Sequence, residues 1–155
     1  PSYSDFGEKS VFDIFGEDLV HAAIKKSAVL LESCLFINRG KGRFDCVRLP
    51  REAQFAPVRD LLAGDFDQNG LPDLILAGNN YSTRPSLGRQ DASHGWLMLG
   101  NEDLNLDILW PRESGISLSC DLRKLVALEL TNELIFICLP NDGYFQFLKH
   151  GNQGK

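Results

Sequence analysis

Between residues 64 and 74 the chain reads Gly-Asp-Phe-Asp-Gln-Asn-Gly-Leu-Pro-Asp-Leu, and this stretch constrains the fold more than any other. Three carboxylates within nine residues repel one another without a cation. Calcium takes six to eight oxygens at short range, for which carboxylates are the best donors. Counting Asp65 as the first position, side-chain oxygens fall at the first, third and fifth places (Asp65, Asp67, Asn69). Gly70 at the sixth place permits a sharp turn. Leu71 at the seventh offers its carbonyl, and Asp73 at the ninth closes the set. An EF-hand or dockerin loop needs an acid at the twelfth place on an exiting helix, and here that residue is Leu76. The flanking runs 58–64 and 74–77 are β-like on both sides. The spacing therefore predicts a calcium loop between two strands; the plain alternative is an empty turn rich in Asn and Asp.

The surrounding sequence fits an all-β chain. Short apolar runs of strand length occupy 29–37, 43–49, 58–64, 73–78, 96–99, 106–110, 125–130, 133–139 and 144–148, separated by Gly, Asn, Asp and Pro. Such a series predicts a meander, sandwich or propeller. The pattern "apolar strand, Asn/Gly turn, strand" at Cys34–Phe44 returns at Trp96–Leu109, about 62 residues later. A second echo links 58–77 to 124–139. Four strands per repeat suits propeller blades, so the expected content is the last two strands of one blade, a whole blade and most of a third. That is about two to three blades, too few to close a ring. The first section differs. Ser10-Val11-Phe12-Asp13 fits a capping box, and Phe12, Phe15, Leu19 and Ala23 recur at helical spacing. One helix near 11–25 is expected despite Gly16, with its stripe a packing surface and His21 a surface or packing residue. The expected organisation is a helical segment over 1–27, blades over 28–150 and a flexible tail over 151–155.

The longer pattern is more specific. The loop, which reads DxDxNGxxDL with Asn69 at its fifth position, is preceded and followed, in order, by Asn38-x-Gly-x-Gly-x-Phe44, Leu49-Pro50, Ala53-Gln54-Phe55-Ala56-Pro57, Gly78-Asn79-Asn80-Tyr81, Gly88-Arg89-Gln90-Asp91-Ala92 and Gly95-Trp96-Leu97-Met98-Leu99-Gly100. Together these resemble the FG-GAP/VCBS-repeat (integrin-α-like) β-propeller family, and in particular the terminal blades of large bacterial cell-envelope VCBS-repeat proteins. The resemblance runs from about residue 11 onward. It implies a loop joining the first two strands of a blade, with Asp65, Asp67, Asn69, Leu71 (through its carbonyl) and Asp73 as calcium ligands. It also implies an exported, non-enzymatic module that meets other blades of its parent and an unidentified protein or glycan. The third repeat departs, because Ser119–Arg123 leads into 125–130 and Thr131-Asn132-Glu133 cannot replace the acidic motif. One calcium site is expected.

Other signals are weaker. The polar segment between Gly78 and Trp96 is long for a compact domain, and Tyr81, Arg84, Arg89, Asp91 and His94 are its candidate partner-binding residues. The plain alternative is a loop that crosses the propeller face and ties Arg89 to Asp91 or to a neighbouring blade. Asp91 and His94, with Ser93, could be imagined as an acid/base set for a lyase or hydrolase, but no nucleophile elbow or third member accompanies them. No enzyme is expected; a scaffold docking only to other blades is the remaining alternative. Trp96, Trp110, Phe145 and Phe147 lie within strand-like runs and are expected in the core between blades. Cys34, Cys46, Cys120 and Cys138 lack zinc or redox spacing. A hairpin symmetric about Gly40 would set Cys34 opposite Cys46 and make a disulfide feasible; otherwise both are small buried hydrophobes. The net charge of −5 argues against nucleic acid, and the basic spots Lys25-Lys26 and Arg48…Arg51 are expected to be solvated. No apolar run reaches membrane-helix length. The opening Pro1-Ser2-Tyr3-Ser4-Asp5 has no signal-peptide pattern and suggests an excised fragment.

Overall fold

The computed structural model of the chain describes residues 2–103, 105–130 and 133–150. It divides into two units, Pro1–Leu31 and Glu32–Lys155. The tail expected over 151–155 lies outside the described residues.

The first unit carries three short helices, α1 (Tyr3–Gly7), α2 (Val11–Phe15) and α3 (Glu17–Ala22). The Ser10/Asp13 capping box forms: the Ser10 hydroxyl accepts the Asp13 N–H, and the Asp13 carboxylate accepts the Ser10 N–H. The single helix expected over 11–25 does not form. Gly16 sits at φ +80°, a conformation outside the helical range, and the chain breaks there into α2 and α3. Ser2 and Asp5 repeat the capping box on α1. The Asp5 and Asp13 carboxyls are held below the ordinary range, Asp5 first by the Ser2 N–H and Asp13 first by the Ser10 hydroxyl. None of the three helices contains a buried residue, and Phe12 lies against the His21 ring.

Among the described residues the second unit has nine antiparallel strands. Their ranges are β1 (Cys34–Asn38), β2 (Phe44–Arg48), β3 (Asp60–Gly64), β4 (Asp73–Ala77), β5 (Trp96–Gly100), β6 (Leu106–Leu109), β7 (Leu122–Leu130), β8 (Glu133–Pro140) and β9 (Gln146–His150). Every apolar run read from the sequence carries one strand, although the first begins at Cys34 rather than at residue 29. The strands form a two-stranded sheet (β1-β2), a four-stranded meander (β3-β4-β5-β6) and a three-stranded meander (β7-β8-β9). That two–four–three grouping matches the phasing expected from the echoes. A one-turn helix α4 (Pro111–Ser114) follows β6.

The four-stranded sheet is covered on both faces, and the period of two along β4 shows how. Ile75 and Ala77, with Leu97, enter one apolar cluster together with Leu122, Leu125, Phe136 and Cys138 from β7 and β8. Leu74 and Leu76, with Trp96 and Met98, enter a second cluster with Ala53, Leu49 and Val58. Strands β4 and β5 are therefore almost continuously apolar, as strands buried on both sides must be. Gly78 and Gly100 end these strands where backbone crosses: a Cβ on Gly78 would stand 2.1 Å from the Pro57 carbonyl oxygen, and one on Gly100 2.2 Å from that of Pro72.

Several expectations are corrected here. The β1-β2 hairpin turns about Lys41, not Gly40: Gly40, Lys41 and Gly42 all have positive φ, and Asn38 pairs with Phe44. Phe36 then faces Cys46 and Arg48 faces Cys34, so the two cysteines are diagonal neighbours rather than partners, and both are free thiols. Partial burial and then the Cys46 thiol push the Cys34 thiol above its ordinary range. Trp96 is buried, but Trp110, Phe145 and Phe147 are exposed at 43%, 61% and 65%. Trp110 stacks edge-on against Trp96 from outside, and Phe147 lies on β9, which among the described residues is paired only with β8. Of the basic spots, Arg48 pairs with Glu32 at 3.4 Å and Arg51 lies over the Phe55 ring.

An ion pair links the two larger sheets. Asp60, at the start of β3, accepts the Leu125 N–H at 2.7 Å and faces the Lys124 ammonium at 2.8 Å, both on β7. Burial alone would raise its carboxyl, but the hydrogen bonds from Lys124, Leu125 and Leu61 outweigh burial and hold it below its ordinary value. A carboxyl depressed in the folded state adds stability above its unfolded pKa of about 3.9 and loses it as pH falls through the lower folded value. Acid unfolding should therefore gain a component below about pH 4 that disappears in Asp60→Asn. Urea midpoints measured from neutral pH to pH 3 check this; equal acid sensitivity of the two proteins would refute it.

Candidate metal centre

The acidic loop joins β3 to β4, which pair from Asp60↔Ala77 to Gly64↔Asp73. Asp73 is thus the first residue of β4, and Leu76, where an EF-hand would need its last acid, is buried inside that strand. The loop is clasped between two strands, as its flanks predict. Asp65, Asp67 and Asp73 each offer a carboxylate oxygen, and these oxygens lie within 4.8 Å of one another. Among the described residues this is the one such cluster of three acidic, histidine or cysteine groups. The turn between β7 and β8, where no acidic loop is expected, includes residues 131 and 132, outside the described residues.

The loop's geometry follows from its residue types. Gly70 takes φ +85° and Gln68 φ +63°, curling the backbone so that its N–H groups point inward. The Asn69 N–H donates to Asp65 at 3.0 Å and to Asp67 at 3.1 Å, and the Gly70 N–H donates to Asp65 at 2.9 Å. The Asn69 side-chain amide donates to Asp67 at 3.0 Å, while its oxygen accepts the Leu71 N–H at 2.7 Å. Asp65, Asp67 and Asn69 are exposed and Leu71 is half-buried at the loop's end. The structure therefore brings the three carboxylates together and places Asn69 on Asp67.

Asp73 differs from the other two. It is fully buried, and both its oxygens accept backbone N–H groups: Oδ2 from Phe66 at 2.7 Å and Asp67 at 3.4 Å, Oδ1 from Gly100 at 2.9 Å. It fastens the start of the loop to the end of β5. Phe66, between the acids, turns the other way: it is buried and meets Phe136 edge-on at 5.3 Å. The loop is therefore anchored below by an aromatic side chain and a buried carboxylate, with two carboxylates presented above.

Three carboxylate oxygens at such separations repel by about 1 kcal/mol per pair in water and by about 3 to 4 kcal/mol at an effective dielectric near 20. The N–H donors offset part of this; a divalent cation would reverse it. Hard oxygen donors without thiol or imidazole suit a hard divalent cation.

The second set of predicted residues is brought together only in part. Asn80 and Gln90 form an isolated bridge that folds the 81–89 segment back on itself. The Arg89 guanidinium lies 5.0 Å from the Tyr81 ring centre. Burial first, then the nearby Cys120 and Asp91, pushes the Tyr81 hydroxyl above its ordinary value, against the opposing charge of Arg89. Tyr81, Arg89 and Asp91 thus share one neighbourhood. Arg84 is exposed at the head of a short 3-10 turn, Pro85–Leu87. His94 stands apart, its Nδ1 bonded to the Ser119 hydroxyl at 2.8 Å and its carbonyl accepting the Leu118 N–H.

Sequence reasoning passed over Asn79, which is fully buried. Its amide donates to the carbonyls of Ser93 and Cys120 at 2.9 and 3.1 Å, and its oxygen accepts the Ser93 N–H at 3.0 Å. In the sequence it stands in the Gly78-Asn79-Asn80-Tyr81 string and among the polar residues between Gly78 and Trp96, with nothing to set it apart. Gln54 plays a similar part for Ser33 and Leu49.

Among the described residues no helix is long and apolar enough to cross a membrane. Comparison of the chain with protein-family models, with curated proteins and with solved structures found no match.

Proposed function

We propose that the chain is a piece of a calcium-loop β-propeller of the FG-GAP/VCBS-repeat type, working outside the cytosol as a binding module without an activity of its own. The observation that carries this reading is the convergence of Asp65, Asp67 and Asp73 on a turn between the first two strands of a four-stranded sheet. The two–four–three grouping of strands supports it as two partial blades flanking a whole one. Calcium, held by the three carboxylates with Asn69 and the Leu71 carbonyl, is structural: it fixes the turn that sets the β3-β4 register. Extracellular calcium modules bind at about 10⁻⁴ to 10⁻³ M, so the site fills outside cells and is largely empty within them. The segment bearing Tyr81, Arg89 and Asp91 is the proposed contact surface for a protein or glycan.

Thermal melting tests the reading. Calcium at about a hundred times its dissociation constant stabilises by about 2.7 kcal/mol, roughly 5 to 10 °C for a chain of this size. Asp65→Ala and Asp67→Ala should each remove that gain while leaving the melting temperature in chelator nearly unchanged. Identical melting in chelator and in excess calcium would contradict the proposal.

A further inference from the structure

We propose that Cys120 and Cys138 form a disulfide when the chain folds in an oxidising compartment. Their sulfurs lie 3.0 Å apart although both are free thiols, about 1 Å from the bonded separation of roughly 2.05 Å. Cys120 is 8% exposed and Cys138 is fully buried, within the cluster that also holds Leu122, Leu125 and Phe136. Packing therefore fixes both side chains.

The backbone holds them as well. Cys138 lies in β8 opposite Leu125. Cys120 stands just before β7, its carbonyl bound by the Asn79 amide, and the next residue's carbonyl accepts the Asn141 N–H at 2.7 Å. The β7-β8 ladder is irregular between Leu122 and Lys124. Closing the bond requires only a small movement of two side chains that already touch.

The reaction is thiol–disulfide exchange with a disulfide oxidant, such as oxidised glutathione or a thiol–disulfide oxidoreductase. One cysteine thiolate attacks the oxidant, giving a mixed disulfide and releasing one reduced thiol. The second cysteine, after losing its proton, displaces the other. Two protein thiols are oxidised and the oxidant's sulfur–sulfur bond is reduced to two thiols. Burial, and then the neighbouring Cys120, pushes the Cys138 thiol far above its ordinary range, so thiolate is scarce once the core has closed. Exchange therefore takes place before β7 and β8 are fully packed, and the finished bond is shielded from reductant. The reducing cytosol would keep the pair open.

A variant carrying Cys34→Ser and Cys46→Ser leaves only the proposed pair. After refolding in a glutathione redox buffer, acid quenching, denaturation and treatment with N-ethylmaleimide, it should carry no label and weigh two hydrogens less than the reduced form. Reduction should lower its melting temperature by roughly 5 to 10 °C, since the bond closes a loop eighteen residues long. Label on both cysteines of the refolded, strand-containing protein would overturn the inference. Should the variant fail to fold, peptide mapping of the oxidised wild-type chain decides: a Cys120–Cys138 link is expected, and free thiols or links to Cys34 or Cys46 would overturn it.

Discussion

Replacing Asp73 by Ala should cost about 3 to 5 kcal/mol, a large share of the 5 to 15 kcal/mol that holds an ordinary domain together. The side chain is fully buried, and its two oxygens receive the N–H groups of Phe66, Asp67 and Gly100. Hydrogen bonds to a charged partner contribute about 1.5 to 3 kcal/mol each, and donors left unmade in the interior carry their desolvation penalty. Asp73→Ala orphans N–H groups at both ends of the latch between the loop and β5. Asp73→Asn keeps the shape but turns an NH2 group toward a backbone donor, so it should recover only part of the loss. Asp65→Ala removes the same charge from the same loop at an exposed position, and in chelator should change stability by less than about 1 kcal/mol. Urea unfolding monitored by tryptophan fluorescence compares the three. A midpoint for Asp73→Ala equal to that of Asp65→Ala would refute the latch.

The second large effect is expected at Asn79. Its three side-chain bonds join the end of β4 to Ser93 and to Cys120, residues 14 and 41 positions away. Asn79→Ala leaves two carbonyls and one N–H unpaired in the core, for a loss of about 2 to 4 kcal/mol. Asn79→Asp is the sharper probe. It preserves size and the acceptor for the Ser93 N–H, but sets a carboxylate oxygen against two carbonyls, so it should be no better than Ala. If Asp were tolerated at neutral pH, the amide would not be the donor that ties these segments. Amide hydrogen exchange at Ser93 gives the local reading, since its protection depends on the Asn79 oxygen.

What the sequence made legible was local. Each of the nine runs becomes a strand because a short apolar stretch, alternating with polar residues or nearly continuous as in β4 and β5, is bounded by turn formers within a few positions. The convergence of Asp65 and Asp67 is legible for the same reason: residues two apart on a glycine-assisted turn share one side. The grouping of strands also came through, because echoes about 65 residues apart mark equivalent positions in successive sheets.

The misses follow from what periodicity does not encode. Gly16 fits a helical stripe by position, yet it breaks the helix by adopting a positive φ. Moving the hairpin centre from Gly40 to Lys41 changed every cross-strand pair between Cys34 and Cys46, since register depends on turn geometry rather than on apolar content. Trp110, Phe145 and Phe147 are apolar residues in or beside strands, and only the arrangement of neighbouring sheets decides whether that face is covered. Asp73–Gly100, Asn79–Cys120 and Cys120–Cys138 connect residues 27, 41 and 18 apart, and no short motif announces such pairs. Asp73 shows the consequence: its place in the acidic pattern suggests a ligand, while its burial reveals that it also holds the sheet together.

The most direct measurement is a calcium titration of the isotope-labelled chain followed through the backbone amides of Asn69 and Gly70, which donate to the Asp65 and Asp67 carboxylates. Ion binding by those carboxylates should shift both signals along one saturable curve with a midpoint of about 10⁻⁴ to 10⁻³ M. Signals elsewhere should stay nearly fixed, and the response should vanish when Asp65 and Asp67 are both changed to Ala. Amides that do not move at several times that concentration, or that move equally well without the two aspartates, would contradict the account.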